Sequence, residues 1–165
     1  RRLEPSTGLE KLIREHVKFK AAIVAGDERE EIGRRDHRSR RILNFGHTTA
    51  HALEISTNYR RFRHGEAVGY GMLVAGEISK RLGILEQSGL ESLRAAVELC
   101  GELPLASDLD PTSLLRAFAR DKKAVGGRVQ WVLLKRLGRA VLVDQTKIAP
   151  ELLRASLRSV LQPDS

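Results

Sequence analysis

The sequence predicts a mostly α-helical domain carrying one small two-stranded β-hairpin. Two observations point that way. Apolar residues recur at helical spacing through most of the chain. Only near residues 129–144 does the period change, to two short runs rich in β-branched residues. No internal repeat or low-complexity tract breaks this order.

The elements follow one by one. Leu9, Leu12, Ile13, Val17, Ala21 and Val24 form one stripe with Phe19 at its edge, which predicts a helix from about Gly8 to Ala25. "GDEREEIGRRDHRSRR" is polar and contains glycine, so it reads as a loop. Helical pattern resumes from Ile42 to about Ser56. "TNYRRFRHGE" then connects to a long helix, Glu66 to Leu82, with Gly83 placed as its C-cap. Inside that helix lie Gly69, Gly71 and Gly76. Each costs a helix about 1 kcal/mol relative to alanine, so their presence suggests close approach by another helix or a ligand. Leu90 to Cys100 and Pro111 to Lys122 read as further helices, the second announced by Asp110-Pro111-Thr112. "RVQWVLLK" and "RAVLVD", separated by Leu137-Gly138, predict the hairpin. "PELLRASLRSVLQ" closes the chain as an amphipathic helix.

A length of 165 residues suits a single domain with a real core, residues 1–165. Aromatics make up only 4%, so packing must rely on Leu, Ile, Val and Ala. The formal net charge is +8, and the block "RRDHRSRR", Arg34 to Arg41, supplies much of it. Such a block binds nucleic acid, a membrane surface or an anionic metabolite, or is simply a solvated loop. Neither zinc-finger spacing nor an aromatic-interleaved basic motif is present, which argues against nucleic acid. No run of about 18 apolar residues predicts a membrane span, and no signal peptide is visible. The one cysteine, Cys100, suits a reducing, cytoplasmic setting. The chain begins without methionine and enters helical pattern within a few residues, as expected of a piece of a longer protein.

Three of the five histidines surround one stretch, "RRILNFGHTTAHALE" followed by "RHGEAV". Placed on a helix, Arg40, Asn44, His47, His51 and Glu54 are spaced 4, 3, 4 and 3, which puts them on one face. Apolar shoulders at Leu43, Phe45, Ala50 and Leu53 suggest that this polar stripe faces an enclosed polar cavity. Imidazoles at i and i+4 can reach a common small site, and neutral imidazole suits Zn, Co, Fe or Ni. His64, folded back by the short connector, is the candidate third ligand. The competing reading is an exposed polar face whose histidines share no ion.

"LNFGHTTAHALE" followed by "HGEAVGYGM" closely resembles the signature of 3-dehydroquinate synthase, the second enzyme of the shikimate pathway. "KAAIVAGDERE" upstream and "RDKKAVGGRVQWVLL" downstream resemble the same family in the same order, so the likeness runs from about Lys20 to Leu134. It implies a two-domain enzyme of which this chain resembles the helical C-terminal domain alone, the N-terminal NAD-binding domain lying outside these residues. It implies a divalent metal, usually zinc or cobalt, held by His47, His64 and a glutamate upstream of this chain. Glu54 and Glu66 match letters of the motif and not that ligand. His51 matches a proton-transfer residue, and Glu30 a proposed proton acceptor. Lys20, Arg40 and Asn44 match substrate-contacting positions, as does Lys122 or Lys123 of "DKK". The family usually has glycine where Ala50 stands, placing an added methyl against the ligand or a neighbouring helix. The basic loop is longer than usual, which leaves Arg41, Arg38 or Arg35 as alternatives to Arg40, and Glu31 to Glu30.

The activity implied is conversion of 3-deoxy-D-arabino-heptulosonate 7-phosphate to 3-dehydroquinate and phosphate, with NAD and metal as cofactors. An anionic sugar acid phosphate also gives the basic excess a cause other than nucleic acid. The family tends to dimerise. Rival readings are another sugar phosphate cyclase of the 2-deoxy-scyllo-inosose or 2-epi-5-epi-valiolone synthase type, a glycerol-dehydrogenase-like enzyme, a non-catalytic basic helical domain, and a truncated remnant.

Overall fold

The computed structural model describes residues 7–31, 34, 36, 38–124 and 130–163, with the backbone alone for residues 7 and 119–124. Six α-helices and one hairpin follow in chain order: α1 (Thr7–Gly26), α2 (His47–Ser56), α3 (His64–Arg81), α4 (Gln87–Glu98), α5 (Pro111–Ala124), β1 (Gln130–Arg136), β2 (Arg139–Asp144) and α6 (Pro150–Leu161). Short 3₁₀ turns at Arg40–Asn44 and Gln145–Lys147 lead into α2 and α6. The mostly helical class with one hairpin is therefore the observed one. β1 and β2 pair antiparallel, Trp131 facing Val143 and Leu133 facing Val141. Gly138 makes the reversal with a positive φ of 75°, a conformation glycine adopts without penalty.

Helix α3 is the axis of the fold, with α2, α4, α6 and β1 packed around it. Its Val74 and Ile78 are fully buried, as are Leu53 of α2, Leu114 of α5, Leu133 of β1 and Leu157 of α6. Each such side chain contributes roughly 1.5–3 kcal/mol on leaving water. A second cluster, Leu85, Leu90, Leu93, Val97 and Leu134, seals α4 against α3 and the hairpin. The small residues of α3 make this possible: a Cβ on Gly76 would lie 2.7 Å from a Leu93 methyl and 2.9 Å from a Leu90 methyl. Ser79, wholly buried, donates to the Ala75 carbonyl and accepts from the Leu134 amide at 3.0 Å, tying α3 to β1.

Three helices begin two or more residues from their expected starts. The helix predicted from Ile42 to Ser56 is broken. Residues Arg40–Asn44 form a 3₁₀ turn, the chain turns at Phe45-Gly46, and α2 begins only at His47. Gly46 sits in the left-handed region at φ 84°, which ends any helix passing through it. Helix α3 starts at His64, two residues early, because the Glu66 carboxylate accepts the Arg63 amide at 2.7 Å and so occupies the third helical position of a cap. Helix α4 begins at Gln87 and stops at Glu98, ahead of the predicted Leu90 to Cys100.

Helix α1 forms where its periodicity predicts, yet most of its stripe is exposed. Leu12, Ile13, Val17 and Phe19 are each more than half accessible. Its chief contact with the rest of the molecule is with the Arg40–Asn44 turn.

Candidate functional site

The connector between α2 and α3 determines where His64 goes. Phe62 is buried and meets the Tyr70 ring edge-on at 5.7 Å. Arg61 grips both carboxylate oxygens of Asp108, at 2.7 and 2.6 Å, and donates to the Leu105 carbonyl. These anchors fold the chain back so that the first residue of α3 lies beside the first residue of α2. The His47 and His64 ring centroids are 5.3 Å apart, and His47 and His51 are 5.9 Å apart. Three imidazoles separated by up to 17 positions thus share one patch.

The backbone under His47 is held by a tight crossing. A Cβ placed on Gly71 of α3 would fall 1.9 Å from the Gly46 carbonyl oxygen. That same carbonyl accepts the Ala50 amide and opens α2. Glycine at 71 therefore lets α3 press against the turn that aims His47. Ala50, the departure from the expected motif letter, is fully buried, its methyl packed in the core.

Hydrogen bonds orient two of the rings. His64 Nδ1 lies 2.9 Å from Glu54 Oε1, and Glu54 is only 7% exposed. His47 Nδ1 faces the Phe45 carbonyl at 3.4 Å. Burial pushes the His47 imidazole below the ordinary histidine range; the neighbouring His64 and His51 push the same way, and the Phe45 carbonyl and Glu54 oppose. A ring kept neutral has a lone pair to offer.

The expected five-residue stripe is not one helical face. His47, His51 and Glu54 share a face of α2, whereas Arg40 and Asn44 stand at the two ends of the preceding 3₁₀ turn. Nor is the patch enclosed: His51 is exposed, the His64 side chain is 60% exposed and His47 is half-buried. Shoulders built from α2 and α3 alone make a floor and no roof. A groove of about 650 Å³ lies between α3 and α4, lined by Met72, Val97 and Leu103, and touches none of the described candidate residues. Among the described residues, no group of three or more His, Cys, Asp or Glu is arranged to hold a metal ion.

Lys20 and Glu30 lie farther along, exposed, on α1 and on the loop after it. No described hydrogen bond or ion pair joins them to the histidines. Glu30 has a positive φ of 49°, rare for a residue with a Cβ. The loop itself is organised by Asp27, which sequence reading passed over. Its buried carboxylate accepts the Glu31 amide at 3.0 Å and the Arg40 amide at 2.8 Å. The Arg40 guanidinium donates to the Glu28 carbonyl, and that of Arg41 to Gln130 and the Glu31 carbonyl. Arg38 is exposed; Arg35 and the Lys122 and Lys123 side chains fall outside the described residues.

The amide bonds from Glu31 and then Arg40 hold the Asp27 carboxyl below its ordinary value of 3.8, with burial opposing. A depressed carboxylate contributes stability that is complete above the unfolded value and lost as pH falls through the folded one. Asp27→Asn is therefore expected to destabilise the chain at pH 7, and by less near pH 3. Urea unfolding at the two pH values checks this, and an equal difference at both would contradict it.

Two solved structures share this architecture. One is a 2-epi-5-epi-valiolone synthase from Streptomyces hygroscopicus subsp. jinggangensis with NAD+ and Zn2+ bound. It superimposes with a TM-score of 0.74 over 98% of this chain and 42% of its own, at 22% identity. The other, a 2-deoxy-scyllo-inosose synthase complexed with carbaglucose-6-phosphate, NAD+ and Co2+, gives 0.63 over 74% of this chain and 34% of its own, at 22% identity. The fold is thus that of the helical part of these synthases. Residues 2–124 match the family described as 3-dehydroquinate synthase C-terminal, and the chain belongs to that family. The 3-dehydroquinate synthase of Acidithiobacillus ferrooxidans is 39% identical over 154 residues, 93% of this chain and 40% of that protein. That of Solibacter usitatus is 37% identical over 150 residues, 91% and 40%. The chain spans about two fifths of the length of these relatives.

Proposed function

We propose that this chain is the metal- and substrate-binding domain of a 3-dehydroquinate synthase, working with an N-terminal NAD-binding domain of the same enzyme. The reaction converts 3-deoxy-D-arabino-heptulosonate 7-phosphate to 3-dehydroquinate and phosphate without net redox change. The C5 alcohol is oxidised, phosphate leaves by β-elimination, C5 is reduced again, and an intramolecular aldol step closes the ring. When bound, a divalent zinc or cobalt ion supplies Lewis-acid polarisation of the C5 oxygen, and NAD, held mainly by the other domain, supplies hydride acceptance and return.

The observation that carries this reading is the convergence of His47 and His64, the two histidines of the family motifs, at 5.3 Å. Two imidazoles bound to one tetrahedral ion through bonds of roughly 2 Å place their ring centroids roughly 5 Å apart. The residues present therefore fit two ligand positions, with the third donor to come from outside this chain. The exposed apolar stripe of α1 supports the same view, since such a face needs cover from another part of the protein.

The chain's own residues have the following parts. His47 and His64 hold the cation. His51, on the same face of α2 and open to solvent, moves protons. The departing phosphate serves as base in its own elimination, which leaves His51 and Glu30 for the other transfers. Arg40, Asn44, Lys20 and one lysine of Lys122 and Lys123 meet the carboxylate, hydroxyls and phosphate of the substrate. Among the described residues no helix is long and apolar enough to cross a membrane, and the proposed setting is the cytoplasm.

The test is phosphate release in the presence of NAD and Zn2+ or Co2+, offering the heptulosonate phosphate beside other sugar phosphates. Turnover of the first alone by the two-domain protein, and none by the isolated 165-residue chain, is the expected outcome. Preference for another sugar phosphate would move the protein to a different cyclase activity. Turnover by the isolated chain would refute the two-domain reading.

A further inference from the structure

We infer that Glu54 is the positioning residue of the proposed metal site, fixing the tautomer and aim of His64; this rests on the ligand assignment above. His64 is the first residue of α3, with a side chain 60% exposed. An imidazole at such a place swings freely unless something holds it. Glu54 is the reverse case, a carboxylate 7% exposed and set in a helix whose neighbours Leu53 and Ala52 belong to the core. A carboxylate so deep needs a hydrogen-bond donor. The contact at 2.9 Å between Glu54 Oε1 and His64 Nδ1 answers both needs.

The consequence is directional. A carboxylate accepts and cannot donate, so Nδ1 of neutral His64 carries the hydrogen and Nε2 keeps its lone pair. The nitrogen left free is the one available to a cation. The ring is held at 65° to that of His47. Glu54 stands seven residues after His47, two turns on and on the same face of α2. One short helix thus carries one ligand itself and orients the other across the gap to α3.

Two measurements test this. In the metal-free two-domain protein at pH 8, long-range ¹H–¹⁵N correlation of the His64 ring reads the tautomer directly. The Nδ1–H form is expected, and a predominant Nε2–H form overturns the inference whatever any variant does. Second, Zn2+ affinity is measured by competition with a chromogenic chelator, and Co2+ geometry by its visible spectrum. Glu54→Ala is expected to weaken binding about 10- to 100-fold and to alter the Co2+ spectrum. Glu54→Gln, which keeps an acceptor, recovers most of the affinity. Unchanged affinity and spectrum in Glu54→Ala overturn the inference. If His64→Ala also binds metal like the unmodified protein, the ligand assignment itself has failed; if His64→Ala loses metal and Glu54→Ala does not, only the positioning role has.

Discussion

His47→Ala and His64→Ala, each made in the protein that carries both domains, are expected to abolish tight binding of zinc or cobalt. Structural zinc sites with four protein ligands bind with about 10–16 kcal/mol, so one ligand is worth about 2.5–4 kcal/mol, or roughly 10²- to 10³-fold in affinity. Dialysis followed by metal analysis reads this without any assay of turnover. His51→Ala is the informative contrast. Its ring belongs to the same patch, 5.9 Å from His47, but its proposed task is proton transfer. Metal content should stay stoichiometric while turnover falls about 10²- to 10⁴-fold. Full metal retention by both His47→Ala and His64→Ala would remove the ligand assignment, and loss of metal in His51→Ala would reassign its role.

Gly71→Ala is expected to be among the most damaging single-methyl changes in the chain. The new Cβ would stand 1.9 Å from the Gly46 oxygen and 2.7 Å from its carbonyl carbon. The obstacle is backbone, so no rotamer change relieves the clash, and α3 must move away from the Gly46 turn. Overpacking of this kind typically costs about 1–3 kcal/mol, and a backbone obstacle places it at the upper end. Because Gly46 immediately precedes His47, the same displacement should separate the two imidazoles. Denaturant unfolding and metal competition are predicted to change together. A Gly71→Ala protein with unaltered midpoint and metal affinity would show that the crossing can accept a methyl group. Gly76→Ala makes a useful comparison, since there the intruding methyl meets only the ends of Leu90 and Leu93.

Much of the fold was legible in the chain because helices advertise their buried face. The amphipathic pattern of α6, the Asp110-Pro111 start of α5 and the switch to β-branched residues at the hairpin all reflect local physics acting within a few residues. The misreading at Ile42 to Ser56 has an equally local cause. Glycine at 46 was the signal, and its left-handed backbone breaks a pattern whose spacing of polar residues happened to run on through it. Asp27 was missed because a carboxylate that organises a loop leaves no periodic trace. Glu54 lies on the predicted polar stripe, but its proposed role depends on which nitrogen of a histidine ten residues later comes to face it.

By itself the sequence determined the helical class, the family and the candidate residues of the site, since spacing and motif letters are properties of the chain alone. Only the tertiary structure decided that the α2 to α3 connector, pinned by Phe62 and by Arg61 on Asp108, returns His64 to His47. It also decided that Ala50 faces the core and that the histidine patch lies open. The reason is physical. Periodicity records which side of an element avoids water, whereas the distance between two side chains on different elements is set by the packing of everything between them.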